Sequence, residues 1–230
     1  MILSGKRIAF LGDSITEGAG VSDPDNRYDN RMLRDADLAA VYNYGIGGTR
    51  LAHQQKASPG ARADLCFCGR AYDITPDADI VVVFGGVNDY LHGDAPFGRP
   101  TDGMQSTFCG GVRWLMSFLK ERFAGKTVVF MTPAHCNTGA IVDALPSPDP
   151  RKIDPITGKS DGRPLVEYVD TILAIGAELG IPVLDLYRTL GIDPNKPEDN
   201  KAYTADGLHL NDAGHAILAE KLTAFLAEIE

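Results

Sequence analysis

At 230 residues the chain is one domain's worth of sequence, long enough to bury roughly 70–75% of its unfolded surface without a disulfide or metal staple. Apolar residues make up 44% and charged residues 23%, ordinary values for a globular protein. The 31 acidic residues outnumber the 22 Lys and Arg, for a formal net charge of −9, which argues against a nucleic-acid partner, whose main affinity is cationic, and against electrostatic membrane binding.

The chain opens MILSGKRIAFLGDS. Its apolar stretch is too short for a secretory signal core, and no apolar run approaches the 20 or so residues of a bilayer span; a cytoplasmic location is expected. Arg7 to Leu11 reads as a first buried strand and Val41 to Tyr44 as a weaker second. Asp79 to Phe84 (DIVVVF) is the strongest, followed by Thr127 to Met131 (TVVFM) and Pro182 to Leu186 (PVLDL). Such near-continuous apolar runs suit strands covered on both faces, as in parallel sheets. Between them lie helical stripes. Val112, Leu115, Met116, Leu119 and Phe123 share one face, with Gly125 as the stop; Leu165, Val166, Val169, Ile172 and Leu173 share another, closed by Gly180. The last helix carries Ile217, Leu218, Leu222, Phe225, Leu226 and Ile229. Strand alternating with helix predicts right-handed crossovers and a three-layer α/β/α sandwich with a five-stranded, mainly parallel sheet, a single domain over residues 1–230. Leu91 to Cys109 and Cys136 to Pro164, rich in Gly, Pro and Asp, read as long loops. Each follows a strand, so each is expected at the carboxyl edge of the sheet, where open α/β folds bind ligands.

Cys66 and Cys68 form a C-x-C without a second pair nearby, and Cys109 and Cys136 stand apart; these read as reduced thiols rather than a zinc site. No histidine pairing suggests a metal either.

Four short blocks carry chemistry. Gly12-Asp13-Ser14-Ile15-Thr16-Glu17-Gly18 follows the first strand, so the Ser14 hydroxyl sits at the sheet edge at the start of a helix, as a reactive group or as a plain cap. Asn43-Tyr44-Gly45-Ile46-Gly47-Gly48-Thr49 ends the second strand, and its glycines serve a close ligand approach or a turn. Gly85-Gly86-Val87-Asn88-Asp89 ends the third, offering the Asn88 amide or a simple Asn-Asp turn. Asp206-Gly207-Leu208-His209 precedes the last helix; an Asp three residues before a His can hold one ring nitrogen and leave the other as a base, or merely form a turn. Together they supply a nucleophile, its base, an orienter and three donors for an oxyanion. The G-x-S-x-G elbow, the P-loop and the dinucleotide-binding G-x-G-x-x-G are absent from the sequence.

In this order the blocks resemble those of the SGNH hydrolases, also called the GDSL lipase/esterase family, and they span Gly12 to His209. The resemblance implies a flavodoxin-like sandwich and a serine esterase needing no cofactor and no metal. By position in the motifs, Ser14 is the nucleophile, Asp206 and His209 complete the triad, and the oxyanion hole comprises the Ser14 N–H, the Gly48 N–H and the Asn88 amide. Gly47 is one residue out of register for that role. Asp13 is expected to order the first turn; Asp89 is open between structure and substrate contact; His53 and His92 are each expected to be solvent-exposed or structurally satisfied, with cleft lining as the open alternative.

The expected substrate is a small-molecule ester, a short acyl group such as acetyl by loop composition, on a polar alcohol such as a carbohydrate. Lysophospholipase, thioesterase and arylesterase activities, acyl transfer, and a non-catalytic carbohydrate-binding role stay open at this level. Oligomeric state is not legible in the residues.

Overall fold

The computed structural model describes residues 1–138 and 163–229. Five strands, β1 (Arg7–Gly12), β2 (Ala40–Gly45), β3 (Ile80–Phe84), β4 (Thr127–Met131) and β5 (Val183–Leu184), form one sheet in the order β2-β1-β3-β4-β5. Every pairing is parallel, with Ile8 opposite Val41 and Ile80, and Val82 opposite Val129. The helices are α1 (Ser14–Glu17), α2 (Tyr28–Asp35), α3 (Phe67–Arg70), α4 (Val87–His92), α5 (Phe108–Arg122), α6 (Leu165–Leu179), α7 (Leu186–Thr189), α8 (Pro197–Tyr203) and α9 (Asp212–Glu228). No helix among the described residues is long and apolar enough to cross a membrane.

The period-2 geometry of strands divides the core in two. Ala9, Leu11, Val81, Val83, Val128 and Phe130 pack with α3, α5 and α6 on one face. Ile8, Phe10, Ile80, Val82, Phe84 and Val129 pack with α2 and α9 on the other. This is the three-layer α/β/α sandwich, and it explains why β3 has no polar position: all five of its residues are buried.

Differences from the sequence reading lie at the margins. The fifth strand, expected over Pro182–Leu186, is only Val183–Leu184. Asp185 ends it because its side chain accepts from Arg188 N at 3.1 Å and so caps α7, whose first residue is Leu186. The 91–109 loop is shorter than expected, since Leu91 and His92 close α4 and Phe108 and Cys109 open α5. Thr107 sets that start by accepting from Gly110 N at 3.1 Å. On α6 the buried stripe runs through Leu165, Tyr168, Val169, Ile172 and Ile175, leaving Val166 and Leu173 half-buried. Most of the expected 136–164 loop, with Asp143, Asp149, Asp154 and Asp161, lies outside the described residues. The four cysteines are buried thiols.

Buried polar links join the outer helices to the first strand end. His215, in the first turn of α9, accepts from Tyr28 N through Nδ1 at 3.2 Å, and the two rings stack with centroids 5.8 Å apart. The Tyr28 hydroxyl meets Thr16 Oγ1 at 2.9 Å, which ties α2 to α1. Asp13 caps α1 by accepting from Ile15 N at 3.0 Å. Burial pulls the His215 imidazole down from 6.5 to about 4 and pushes the Asp13 carboxyl up from 3.8 to about 6.

These two groups tilt stability in opposite directions. His215 binds its proton less tightly folded than unfolded, so its contribution is present above pH 6.5 and is lost as pH falls toward about 4. Asp13 binds its proton more tightly folded, so its contribution is present below pH 3.8 and is lost as pH rises through about 6. Each amounts to roughly 3 kcal/mol at about 1.4 kcal/mol per pH unit. Urea unfolding across pH 4 to 7 should show His215→Asn gaining on the parent protein toward acid and Asp13→Asn gaining toward neutral pH. Parallel slopes for the two variants would contradict this assignment.

Candidate active site

The strand order sets the layout. With β1 between β2 and β3, the Ser14 turn is flanked by the loop after β2 and by the start of α4. Ser14 is the first residue of α1, held by the Asp13 cap and closed by Gly18. On the second block, Gly47 N donates to Glu17 Oε2 at 2.7 Å, whereas Gly48 takes φ +75°, a conformation that glycine adopts without a Cβ penalty. On the third block, Asn88 is buried in α4 and its Nδ2 donates to Thr49 O at 3.0 Å.

His209 reaches this edge from the α8–α9 connection. Its Nε2 lies 2.9 Å from Ser14 Oγ and its Nδ1 2.7 Å from Asp206 Oδ2. Asp206 Oδ1 accepts from Leu208 N at 3.0 Å and from His209 N at 2.8 Å. Partial burial works to raise the Asp206 carboxyl, but these N–H groups and the His209 ring outweigh it and hold it below the usual carboxylate range. A carboxylate accepts only, so Nδ1 carries the proton and the Nε2 lone pair faces the Ser14 hydroxyl. Gly207 makes the turn possible: φ is +83°, and a Cβ there would sit 1.7 Å from Asn137 O. Asn137 N in turn donates to Gly207 O at 2.8 Å, joining the segment after β4 to the His209 loop.

Ser14, Asp206 and His209 therefore meet in one hydrogen-bonded chain, with Gly48 and Asn88 on the two strand ends beside Ser14. Asp89 does not face this edge as a ligand. It is buried and accepts from Leu51 N at 2.8 Å and Ala52 N at 3.2 Å, lashing the second block to the third. His53 Nδ1 turns to Cys66 Sγ at 3.2 Å, while His92 Nε2 meets Asn88 Oδ1 at 3.0 Å.

Two further groups shape the site without having been singled out in the sequence. Arg70, only 6% exposed, donates to Tyr44 O at 2.5 Å, Gly12 O at 3.1 Å, Leu65 O at 2.7 Å and Thr49 Oγ1 at 3.0 Å. It clamps the ends of β1 and β2 together, and burial pulls its guanidinium down to about 10. The signal available was an arginine embedded in the apolar stretch Leu65-Cys66-Phe67-Cys68-Gly69-Arg70-Ala71. Glu17 pairs with Arg62 besides holding Gly47. Partial burial tends to raise its carboxyl, and the Arg62 and Gly47 contacts prevail and lower it.

A small apolar pocket is lined by Ile15 and Leu208, the chain neighbours of Ser14 and His209, together with Phe84, Val87 and Pro133 among others.

Comparison with known proteins gives the fold and the family. The crystal structure of a Lactobacillus plantarum protein, 30% identical, matches 99% of this chain and 99% of its own with a TM-score of 0.78. The fold is shared with the acetyl xylan esterase AlAXEase, at 23% identity over 97% of this chain and 100% of that one (TM-score 0.59). It is shared also with the lipase/acylhydrolase from Enterococcus faecalis, at 21% identity over 95% and 94% (TM-score 0.57). No curated protein sequence matches the chain. The profile of one family spans residues 10–217, from within β1 to within α9, and so takes in all four blocks: the chain belongs to the GDSL-like lipase/acylhydrolase family.

Proposed function

We propose that the protein is a serine esterase that removes a short acyl group, acetyl above all, from a small polar or carbohydrate alcohol. The observation that carries the reading is the unbroken chain from Ser14 Oγ through His209 to Asp206, at 2.9 and 2.7 Å. These are hydrogen-bond distances suited to a nucleophile, its base and an orienter.

In this reading His209 Nε2 takes the Ser14 proton as Oγ attacks the ester carbonyl. The tetrahedral oxyanion is met by the Ser14 N–H, the Gly48 N–H and the Asn88 amide. The Gly47 N–H, already given to Glu17, leaves Gly48 as the glycine donor. His209 then protonates the leaving alkoxide, which departs as the alcohol. Water, losing a proton to the same nitrogen, attacks the acyl-serine, and the carboxylic acid leaves as Ser14 regains its proton.

The acyl preference is supported by the small pocket lined by Ile15 and Leu208, next in the chain to Ser14 and His209. Its lining of Ile15, Phe84, Val87, Pro133 and Leu208 is apolar and close-set, which suits a short acyl group better than a long chain. The acetyl xylan esterase among the structural relatives is in keeping with such a substrate.

Initial rates on p-nitrophenyl esters of increasing chain length are expected to peak at acetate and to vanish in Ser14→Ala; undiminished turnover by that variant would overturn the mechanism. Val87→Ala should enlarge the pocket and raise the hexanoate-to-acetate ratio of kcat/KM by about 10-fold or more, since each accommodated methylene is worth roughly 1–3 kcal/mol. A ratio unchanged by the substitution would remove the pocket from the account of acyl selectivity.

A further inference from the structure

We propose that His92 is a positioning residue of this site: it fixes which end of the Asn88 amide faces the oxyanion. The inference rests on the esterase reading and on a hydrogen-bond chain whose direction is forced at both ends. Arg50 begins it. The side chain is 2% exposed, anchored through Nη2 to Ser58 Oγ at 2.7 Å and Asp64 Oδ1 at 3.0 Å. Its Nη1 lies 3.1 Å from His92 Nδ1. A guanidinium has donors and no acceptor, so Nδ1 must accept and the ring proton must sit on Nε2. Nε2 is 3.0 Å from Asn88 Oδ1 and therefore donates to it. At the far end Asn88 Nδ2 lies 3.0 Å from Thr49 O, a carbonyl that can only accept.

An asparagine amide is nearly symmetric in shape and can face either way. Here the flipped amide would set Nδ2 against the His92 N–H and Oδ1 against the Thr49 carbonyl, turning two hydrogen bonds into two like-polarity contacts. Arg50 and His92 thus hold the amide donor-end forward before substrate arrives. One N–H of Nδ2 serves Thr49; the second is the one an oxyanion takes. Preset donors of this kind need no reorganisation during reaction. His92 itself touches neither substrate nor reacting atoms in this arrangement and acts through Asn88.

The test is a double-mutant cycle read in steady-state kinetics on p-nitrophenyl acetate, with thermal melting of each variant. Losing a whole oxyanion donor costs roughly 10²–10³ in kcat, so Asn88→Ala should fall in that range. His92→Phe, which cannot donate to Asn88, should lose about 10-fold or more in kcat with KM little changed. His92→Gln, whose amide N–H can reach the same oxygen, should recover most of the loss. In the Asn88→Ala background His92→Phe should cost nothing further, an outcome that general damage to the fold would not give. Should His92→Phe fail to fold, His92→Ala takes its place in the cycle. Parental kcat in a folded His92 variant while Asn88→Ala is slow, or an equal loss in both backgrounds, overturns the role of His92 alone. Parental kcat in Asn88→Ala overturns the oxyanion reading beneath it.

Discussion

A parallel sheet delivers all its strand ends to one edge, and the order of strands decides which loops are neighbours there. In this protein β1 lies between β2 and β3. The three blocks that follow those strands are far apart in sequence, yet Ser14, Gly48 and Asn88 are brought side by side with Ser14 in the middle. Reordering the strands with every local motif intact would scatter them. The contribution of His209 has a different origin, since it enters from the connection between α8 and α9 and is not held by a strand.

The rigidity of that edge comes from polar groups buried beneath it. Asp89 ties the start of α4 to the backbone after Gly48. Arg70 binds carbonyls from the ends of both β1 and β2. Asp29, wholly buried, accepts from Arg27 and from Asn43, and Asn43 also donates to Thr16 O at 2.7 Å. Burying charge is costly unless it is paired and hydrogen-bonded. Asp29 meets that condition through Arg27 and Asn43, while Asp89 and Arg70 take up backbone N–H and C=O groups that irregular loops would otherwise leave unsatisfied. Loops cross from one strand end to the next here, so they need partners that a sheet ladder cannot supply.

The sequence was most legible where one physical cause dominates. β3, and β4 from Val128 onward, are apolar because both faces are covered, and both strands match the expected ranges closely. The four blocks were legible because glycine, serine, asparagine and the Asp-x-x-His turn each answer a local demand. What was hidden depended on distant partners. Nothing adjacent to Gly47 reveals that Glu17, 30 residues earlier, takes its N–H. Nothing near Asn88 reveals that Arg50 directs the tautomer of His92. The truncation of β5 turned on whether one side chain, Asp185, caps a helix or continues a strand, and the apolar pattern of PVLDL does not record that choice. Asp89 was undecided for the same reason: its acceptors are engaged by Leu51 and Ala52, whose proximity exists only in the fold.

The carboxylate that orients His209 in the esterase reading faces solvent. The Asp206 side chain is 52% exposed, so water and salt screen its charge on the His209 ring. Its effect in the esterase reading is then chiefly geometric. One carboxylate receives Leu208 N, His209 N and His209 Nδ1, so the backbone turn and the ring orientation are set by the same two oxygen atoms. Gly207 allows that turn, and Asn137 secures it from the far side through Gly207 O. A base held this way depends on the conformation of four consecutive residues more than on a buried negative charge. The Asn88 amide follows the reverse logic. Asn88 is almost fully enclosed, and low-dielectric surroundings strengthen each fixed dipole that faces a developing charge. In the esterase reading the site therefore pairs a half-exposed orienting carboxylate with a buried amide donor.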